Sequence, residues 1–206
     1  MKGLSVKALA RLGGGLYVLN IVSGAFAIGY VNAAIGSDVH GHETLFRAGV
    51  AAHVVVTMTN VGLALVFYEL FKVVSRRGAM LVVFFTLVAT AIEASGVAGQ
   101  LAALSFGPGA AAYDVSTVFF AGYALAIGYL IYRSTFMPRA IGVLMAVDGA
   151  AYLLNSFATI IAPGFAAHLV PYVQLPILLG EGPLALWLLI AGVDEARWRQ
   201  RQRGGS

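Results

Sequence analysis

Three carboxylic acids stand far from the ends of long apolar stretches of the sequence: Glu93, Asp148 and Glu181. No lysine or arginine lies in the middle of these stretches, so the neighbouring sequence supplies no positive charge. A carboxylate in nonpolar surroundings is usually protonated or neutralised by a cation, because its charged form loses hydration there. The partners to consider are a proton, a metal ion, a cationic ligand, and His53 from another apolar stretch.

Other polar residues recur at helical spacing around these acids. His53 and Asn60 lie seven positions apart, and Asp148, Tyr152 and Asn155 follow at intervals of four and three. Such spacing places the side chains on one face of a helix. Because lipid cannot satisfy polar groups, we expect these faces to turn toward the interior of a helix bundle. The candidate ligand-binding residues are therefore Glu93, Glu181, Asn155, Asp148, Asn60 and Tyr152.

Three hypotheses about function remain open at this point. In the first, the carboxylates bind or transport a proton, a cation or a small amphipathic molecule in a cavity near the middle of the membrane. In the second, a divalent metal held by His53, Glu93 and Glu181 activates water in an intramembrane enzyme that acts on a lipid-like substrate. In the third, the polar residues only hold the helices of a scaffold protein together, each bond contributing about 0.6–2 kcal/mol. The sequence does not decide whether the protein is an enzyme.

The elements that position these residues are predicted from hydropathy. Hydrophobic residues make up 60% of the chain and charged residues 11%, against about 25% charged residues in ordinary soluble domains. Six stretches have the roughly 20 apolar residues that a membrane-spanning helix needs. They cover about 12–34, 48–73, 79–104, 113–133, 140–162 and 171–193. We therefore predict an all-α integral membrane protein, a bundle of six transmembrane helices forming one domain over residues 1–206, with the lipid bilayer as its surroundings.

The basic residues predict the orientation of the bundle. On the predicted topology all Lys and Arg residues but Arg47 share one side, because they fall before the first helix, between the second and third, between the fourth and fifth, and after the sixth. Lys and Arg mark the cytoplasmic side, so both termini are expected in the cytoplasm. Basic residues at helix ends, rather than on one continuous face, argue against a nucleic-acid partner. The absence of cysteine excludes disulfides, thiolate nucleophiles and iron–sulfur clusters.

Several short motifs resemble a known family. They are Gly128-Tyr129-Leu130-Ile131-Tyr132-Arg133-Ser134, Phe136-Met137-Pro138-Arg139, Tyr152-Leu153-Leu154-Asn155-Ser156-Phe157, Gly180-Glu181, Leu186-Trp187-Leu188-Leu189, Ala10-Arg11-Leu12 and Leu45-Phe46-Arg47. With them the chain resembles the bacterial membrane proteins described as domain of unknown function 4386. The resemblance implies a six-helix protein of the bacterial cytoplasmic membrane and puts Asn155 and Glu181 inside the recognisable motifs. It implies no activity, cofactor or protein partner.

Overall fold

The computed structural model describes residues 4–36, 38–103 and 107–204, with side chains for all of these except residues 103, 107–114, 167, 170, 171 and 174. The described chain contains helices and turns but no strand. Its helices are α1 Val6–Gly24, a π-helical segment Ala25–Val31, α2 Asn32–Ile35, a short 3-10 turn His40–His42, α3 Glu43–Phe71, α4 Arg76–Ala103, α5 Gly107–Arg133, α6 Arg139–Ile161, α7 Pro163–Ile190 and α8 Glu195–Gly204. The predicted all-α fold is confirmed.

Five helical stretches are long and apolar enough to cross a membrane. They are Val6–Ile35, His40–Phe71, Arg76–Ala102, Val115–Arg133 and Arg139–Ile161. A further pair, Leu175–Ile190 with Glu195–Gly204, meets the same criterion jointly, although its two parts are bent by 100°. The chain is therefore a multi-pass membrane protein by length and composition, while a count of six spans depends on the bent pair and stays a prediction.

Local sequence explains where several helices begin and end. The Ser5 hydroxyl accepts a hydrogen bond of 3.1 Å from the Ala8 N–H, so α1 begins at Val6, ahead of the predicted residue 12. Pro163 occupies the first turn of α7, where its missing N–H has no helical partner to lose. This helix therefore begins well before the predicted residue 171. Gly192 adopts a φ of 72°, which ends α7 and turns the chain into α8.

The long helices pack into a closed ring. In chain order α1 packs on α3, α3 on α4, α4 on α5, α5 on α6 and α6 on α7, and α7 returns to α1. Glycine allows the closest of these contacts. A Cβ atom on Gly142 would lie 2.7 Å from the Gly128 carbonyl oxygen, so α5 and α6 meet backbone to backbone. A ring of this kind leaves its axis to be filled by side chains or by a cavity.

The two halves of the ring are filled differently. We call the end where α1 begins and α7 ends the terminal end. Its half is filled by large, fully buried apolar side chains, here called the apolar plug: Leu70, Phe71, Ile127, Leu130, Ile131, Met145, Leu184 and Leu188. Helix α8 lies against this end, where the Trp198 ring N–H donates to the Leu70 carbonyl at 2.9 Å. Most of the polar residues singled out from the sequence belong to the other half.

Candidate functional site

A cavity of about 440 Å³ occupies the axis of the ring beyond the apolar plug. Every helix of the ring contributes to its wall. The polar and aromatic residues of the lining are Tyr17, Asn20, Asn60, Thr86, Glu93, Thr117, Phe120, Tyr123, Tyr152 and Glu181. Two of them are carboxylic acids, and no lysine, arginine or histidine is among the described lining residues. The cavity therefore joins two of the three acids that the sequence singled out.

The cavity opens sideways between the π-helical segment and α7. Ala25, Ile28 and Gly29 line it from the π-helical segment, and Leu178 lines it from α7. Leu178 is 59% exposed, and a Cβ atom on Gly29 would meet nothing within 4 Å. In this region the π-helical segment packs against α3. A residue that both lines the cavity and reaches the outer surface marks an opening, which in a membrane-spanning bundle faces lipid.

Glu93 has partners inside the protein. Its Oε1 atom lies 2.9 Å from Nε2 of His53, and both residues are buried, with 4% and 6% of their surface exposed. Its Oε2 atom accepts a longer hydrogen bond of 3.5 Å from the Asn60 side-chain amide. A histidine bonded to a carboxylate holds that carboxylate in place and, when protonated, neutralises it. Glu93 is thus anchored from α3 on one side and open to the cavity on the other.

Asn20 extends this network to α1. Its amide nitrogen lies 3.1 Å from the Val56 carbonyl oxygen, 2.8 Å from the Thr59 hydroxyl and 2.9 Å from the Asn60 side-chain oxygen, and its two hydrogens are shared among these three acceptors. The contact with Asn60 fixes the orientation of that amide, whose nitrogen then faces Glu93. A continuous chain of hydrogen bonds therefore links α1, α3 and α4. Hydrogen bonds that hold neighbouring helices together are sufficient to explain why Asn20 and Asn60 are polar, as the scaffold hypothesis expects.

Glu181 lies on the opposite wall of the cavity and has tyrosine partners. The Tyr152 hydroxyl donates to Oε1 of Glu181 at 3.3 Å, and Tyr17 faces the same carboxylate. The Tyr123 hydroxyl donates to that of Tyr17, also at 3.3 Å. Tyrosine hydroxyls stabilise a carboxylate by donating hydrogen bonds but carry no positive charge at neutral pH. Glu181 is therefore hydrogen-bonded without being paired to a cation.

Asp148 stands behind the cavity wall and is the most isolated of the three acids. None of its surface is exposed, and neither carboxylate oxygen has a hydrogen-bond partner among the residues that the structure describes. It faces α7 at Gly180, where a Cβ atom would lie 2.6 Å from Cβ of Asp148. The side-chain oxygen of Asn155 is also buried without a partner, on the same helix. These two candidates are thus placed beside the cavity and not in its lining.

The three residues considered as metal ligands are only partly brought together. His53 and Glu93 are in contact, whereas Glu181 is bonded to Tyr152 on a different pair of helices. Within the ranges that the structure describes, no group of three His, Asp or Glu side chains could hold a metal ion. The geometry of the described residues therefore favours two separate carboxylate positions over one metal centre.

Comparison with known proteins identifies the family. A family model described as "Domain of unknown function (DUF4386)" matches residues 12–192. The chain belongs to this family. The chain is also similar to an uncharacterized protein of Archaeoglobus fulgidus, with 26% identity over 137 residues that cover 66% of this chain and 79% of that protein. No solved structure matches the chain. The resemblance seen in the sequence is confirmed, and it assigns no function to the cavity.

The structure adds residues to the site that polar spacing alone did not reveal. Phe120 and Tyr123 contribute aromatic walls, and both lie within the region that matches the family. Phe120 and Tyr123 are three residues apart on α5, a helical interval that was available in the sequence. Aromatic residues are common in apolar helices and usually face lipid or the core, so this interval carries little information by itself. No pattern in the sequence indicated that residues 25–31 would form a π-helix.

Proposed function

We propose that the cavity binds a small amphipathic cation within the membrane, and that the protein serves to bind or transport it. The observation that carries the proposal is the pair of carboxylic acids, Glu93 and Glu181, on a cavity whose described lining contains no basic residue. Among the described residues, Glu93 has His53 as its one basic partner, and Glu181 has none. A bound cation would supply the missing positive charge.

The rest of the lining supports an organic cation. Aromatic rings attract cations through their faces, and Tyr17, Phe120, Tyr123 and Tyr152 surround the cavity. Apolar side chains, among them Ile28 and Leu178, line the remainder and would accommodate an alkyl chain. The volume of about 440 Å³ lies within the range of small-molecule sites. The side opening would let such a molecule enter from lipid with its charged head first.

We further propose that the bundle has six spans and sits in a bacterial cytoplasmic membrane with the terminal end inside. The support for this orientation is the basic sequence at the terminal end, which includes Arg76 and Arg77 at the start of α4 and four arginines in α8. In this orientation the apolar plug closes the cytoplasmic half, and the cavity would communicate with the outer half of the membrane.

The test is binding of octyltrimethylammonium to the purified protein in lipid nanodiscs, measured by titration calorimetry against empty nanodiscs. Octyl sulfate, with the same chain and the opposite charge, is the matched probe. We expect saturable binding of the cation only. Replacing one partner of a buried charge pair weakens binding by about 2–5 kcal/mol, so Glu181→Gln and Glu93→Gln should lower affinity at least about thirtyfold.

A carboxylate outside the cavity provides the control. Glu69 pairs with Lys72 near the terminal end, at 2.6 Å, so Glu69→Gln should bind the cation like the parent. Equal binding of the cation and the sulfate, or binding that neither cavity variant changes, would refute the proposal. In that case the scaffold hypothesis would account for the polar residues. Uptake of the cation into proteoliposomes would then distinguish transport from binding alone.

A further inference from the structure

Asp148 is the one carboxylic acid of the described interior that has neither solvent nor a partner. Its surface is fully buried and both oxygens lack hydrogen-bond donors. The tight contact with Gly180 leaves no room for a bridging group on that side, since a single added Cβ would already overlap it. An ionised carboxylate in this position would lose its hydration without a hydrogen bond or a positive charge to compensate for the loss.

The groups that face Asp148 do not supply the missing charge. Helix α6 packs between α5 and α7. Glu181 on α7 directly follows Gly180, the residue that contacts Asp148, and Tyr123 on α5 and Tyr17 on α1 lie within electrostatic range of the same carboxylate. Tyr152, on the same helix, bonds to Glu181. The surroundings are therefore a second acid and neutral phenols, an arrangement in which two neighbouring acids cannot both be ionised cheaply.

We propose that Asp148 and Glu181 together hold a proton while the cavity is empty and release it when a cation binds, so that the protein exchanges a proton for a cation. This inference rests on the proposed function. In the exchange the O–H bond of whichever acid of the pair is protonated breaks, its electron pair stays on oxygen, and the proton leaves to water through the cavity at Glu181. The cation then takes the place of the proton as the counter-charge, and the net charge of the site is unchanged.

The two acids have different parts in this exchange. Glu181 lines the cavity and would meet the cation directly, and it also provides the path by which a proton leaves. Asp148 does not reach the cavity, so it would hold the proton away from solvent beside Gly180. Asp148 therefore makes cation binding depend on pH.

The experiment counts the protons released as octyltrimethylammonium binds to the nanodisc protein. Calorimetry in buffers of different ionisation enthalpy gives this number. We expect about one proton per bound cation in the parent, with an affinity that rises up to about tenfold per pH unit while the pair is protonated. Asp148→Asn should release few or no protons per bound cation and lose most of this pH dependence. Glu69→Gln, the control, should behave like the parent.

An infrared difference spectrum of the parent gives a second readout that needs no variant to fold. Binding of the cation should remove the carbonyl band of a protonated carboxylic acid. Binding with no proton release and no loss of this band would overturn the exchange but leave the proposed function intact. Proton release that Asp148→Asn leaves unchanged would overturn the part assigned to Asp148. A complete lack of cation binding would overturn the inference and the proposed function together.

Discussion

The contact between Asp148 and Gly180 is the most sensitive point of the proposed site, and a single methyl group tests it. A Cβ atom on Gly180 would lie 2.6 Å from Cβ and 3.0 Å from Cγ of Asp148. Gly182, two residues along α7, offers a matched control because a Cβ atom there would meet nothing within 4 Å. The two variants, Gly180→Ala and Gly182→Ala, make the same chemical change on the same helix on either side of Glu181.

The magnitude follows from the overlap. Ordinary contact begins at 3.4 Å, so α6 and α7 must separate by about 0.8 Å at Gly180. Overpacking of this kind costs about 1–3 kcal/mol. Alanine is also up to about 1 kcal/mol better than glycine in a helix, but both variants gain this equally. Gly180→Ala should therefore be about 1–3 kcal/mol less stable than Gly182→Ala.

The assay is thermal unfolding of both variants and the parent in the same mild detergent. For a chain of this length 1 kcal/mol corresponds to about 2–4 °C, so the difference between the variants should be several degrees. Gly182→Ala should melt at or slightly above the parent temperature. If Gly180→Ala melted together with Gly182→Ala, the close packing of α7 on Asp148 would be wrong, and with it the seclusion of that carboxylate.

Three further predictions concern topology and the hydrogen-bond network. In the cysteine-free chain, a cysteine at Gly164 should react with an impermeant thiol reagent from outside intact cells and one at Thr135 should not, and the opposite pattern would reverse the orientation. His53→Gln and Glu93→Gln should each lower the free energy of unfolding, and a double-mutant cycle on these free energies should give a coupling energy of about 0.6–1.7 kcal/mol. If the two effects were fully additive, the 2.9 Å contact would contribute nothing to stability. Asn20→Leu removes the amide that donates from α1 to three acceptors on α3 and should lower the melting temperature, and a variant as stable as the parent would contradict the continuity of the network.

Hydropathy was sufficient to predict the class of fold. Apolar stretches of membrane-spanning length and the scarcity of charge indicate transmembrane helices because the bilayer tolerates few other structures. Helix ends were harder to predict. The predicted spans left residues 163–170 outside any helix, yet Pro163 occupies the first turn of α7, a position in which proline is common. The 100° turn into α8 passes through Gly192, whose positive φ composition does not encode.

The candidate site was predictable as a set of residues but not as a geometry. Depth and spacing indicated that Glu93, Asp148 and Glu181 belong inside the bundle, because a carboxylate in lipid is too costly. Pairing depends on how neighbouring helices are rotated, and sequence spacing within one helix carries no information about that rotation. Only the packed ring separates Glu93, bonded to His53, from Asp148, which has no partner.

The apolar plug has an electrical consequence. The plug closes the terminal side of the cavity and the side opening faces lipid, so a cation bound at Glu181 would lie inside the membrane field. A bare cation that crosses half of this field to reach Glu181 would change its affinity by roughly sevenfold per 100 mV. A cation that enters as a proton leaves moves no net charge, and its binding would hardly respond to voltage. Because the plug separates the site from the terminal side, the voltage dependence of binding measures how much net charge moves through the cavity.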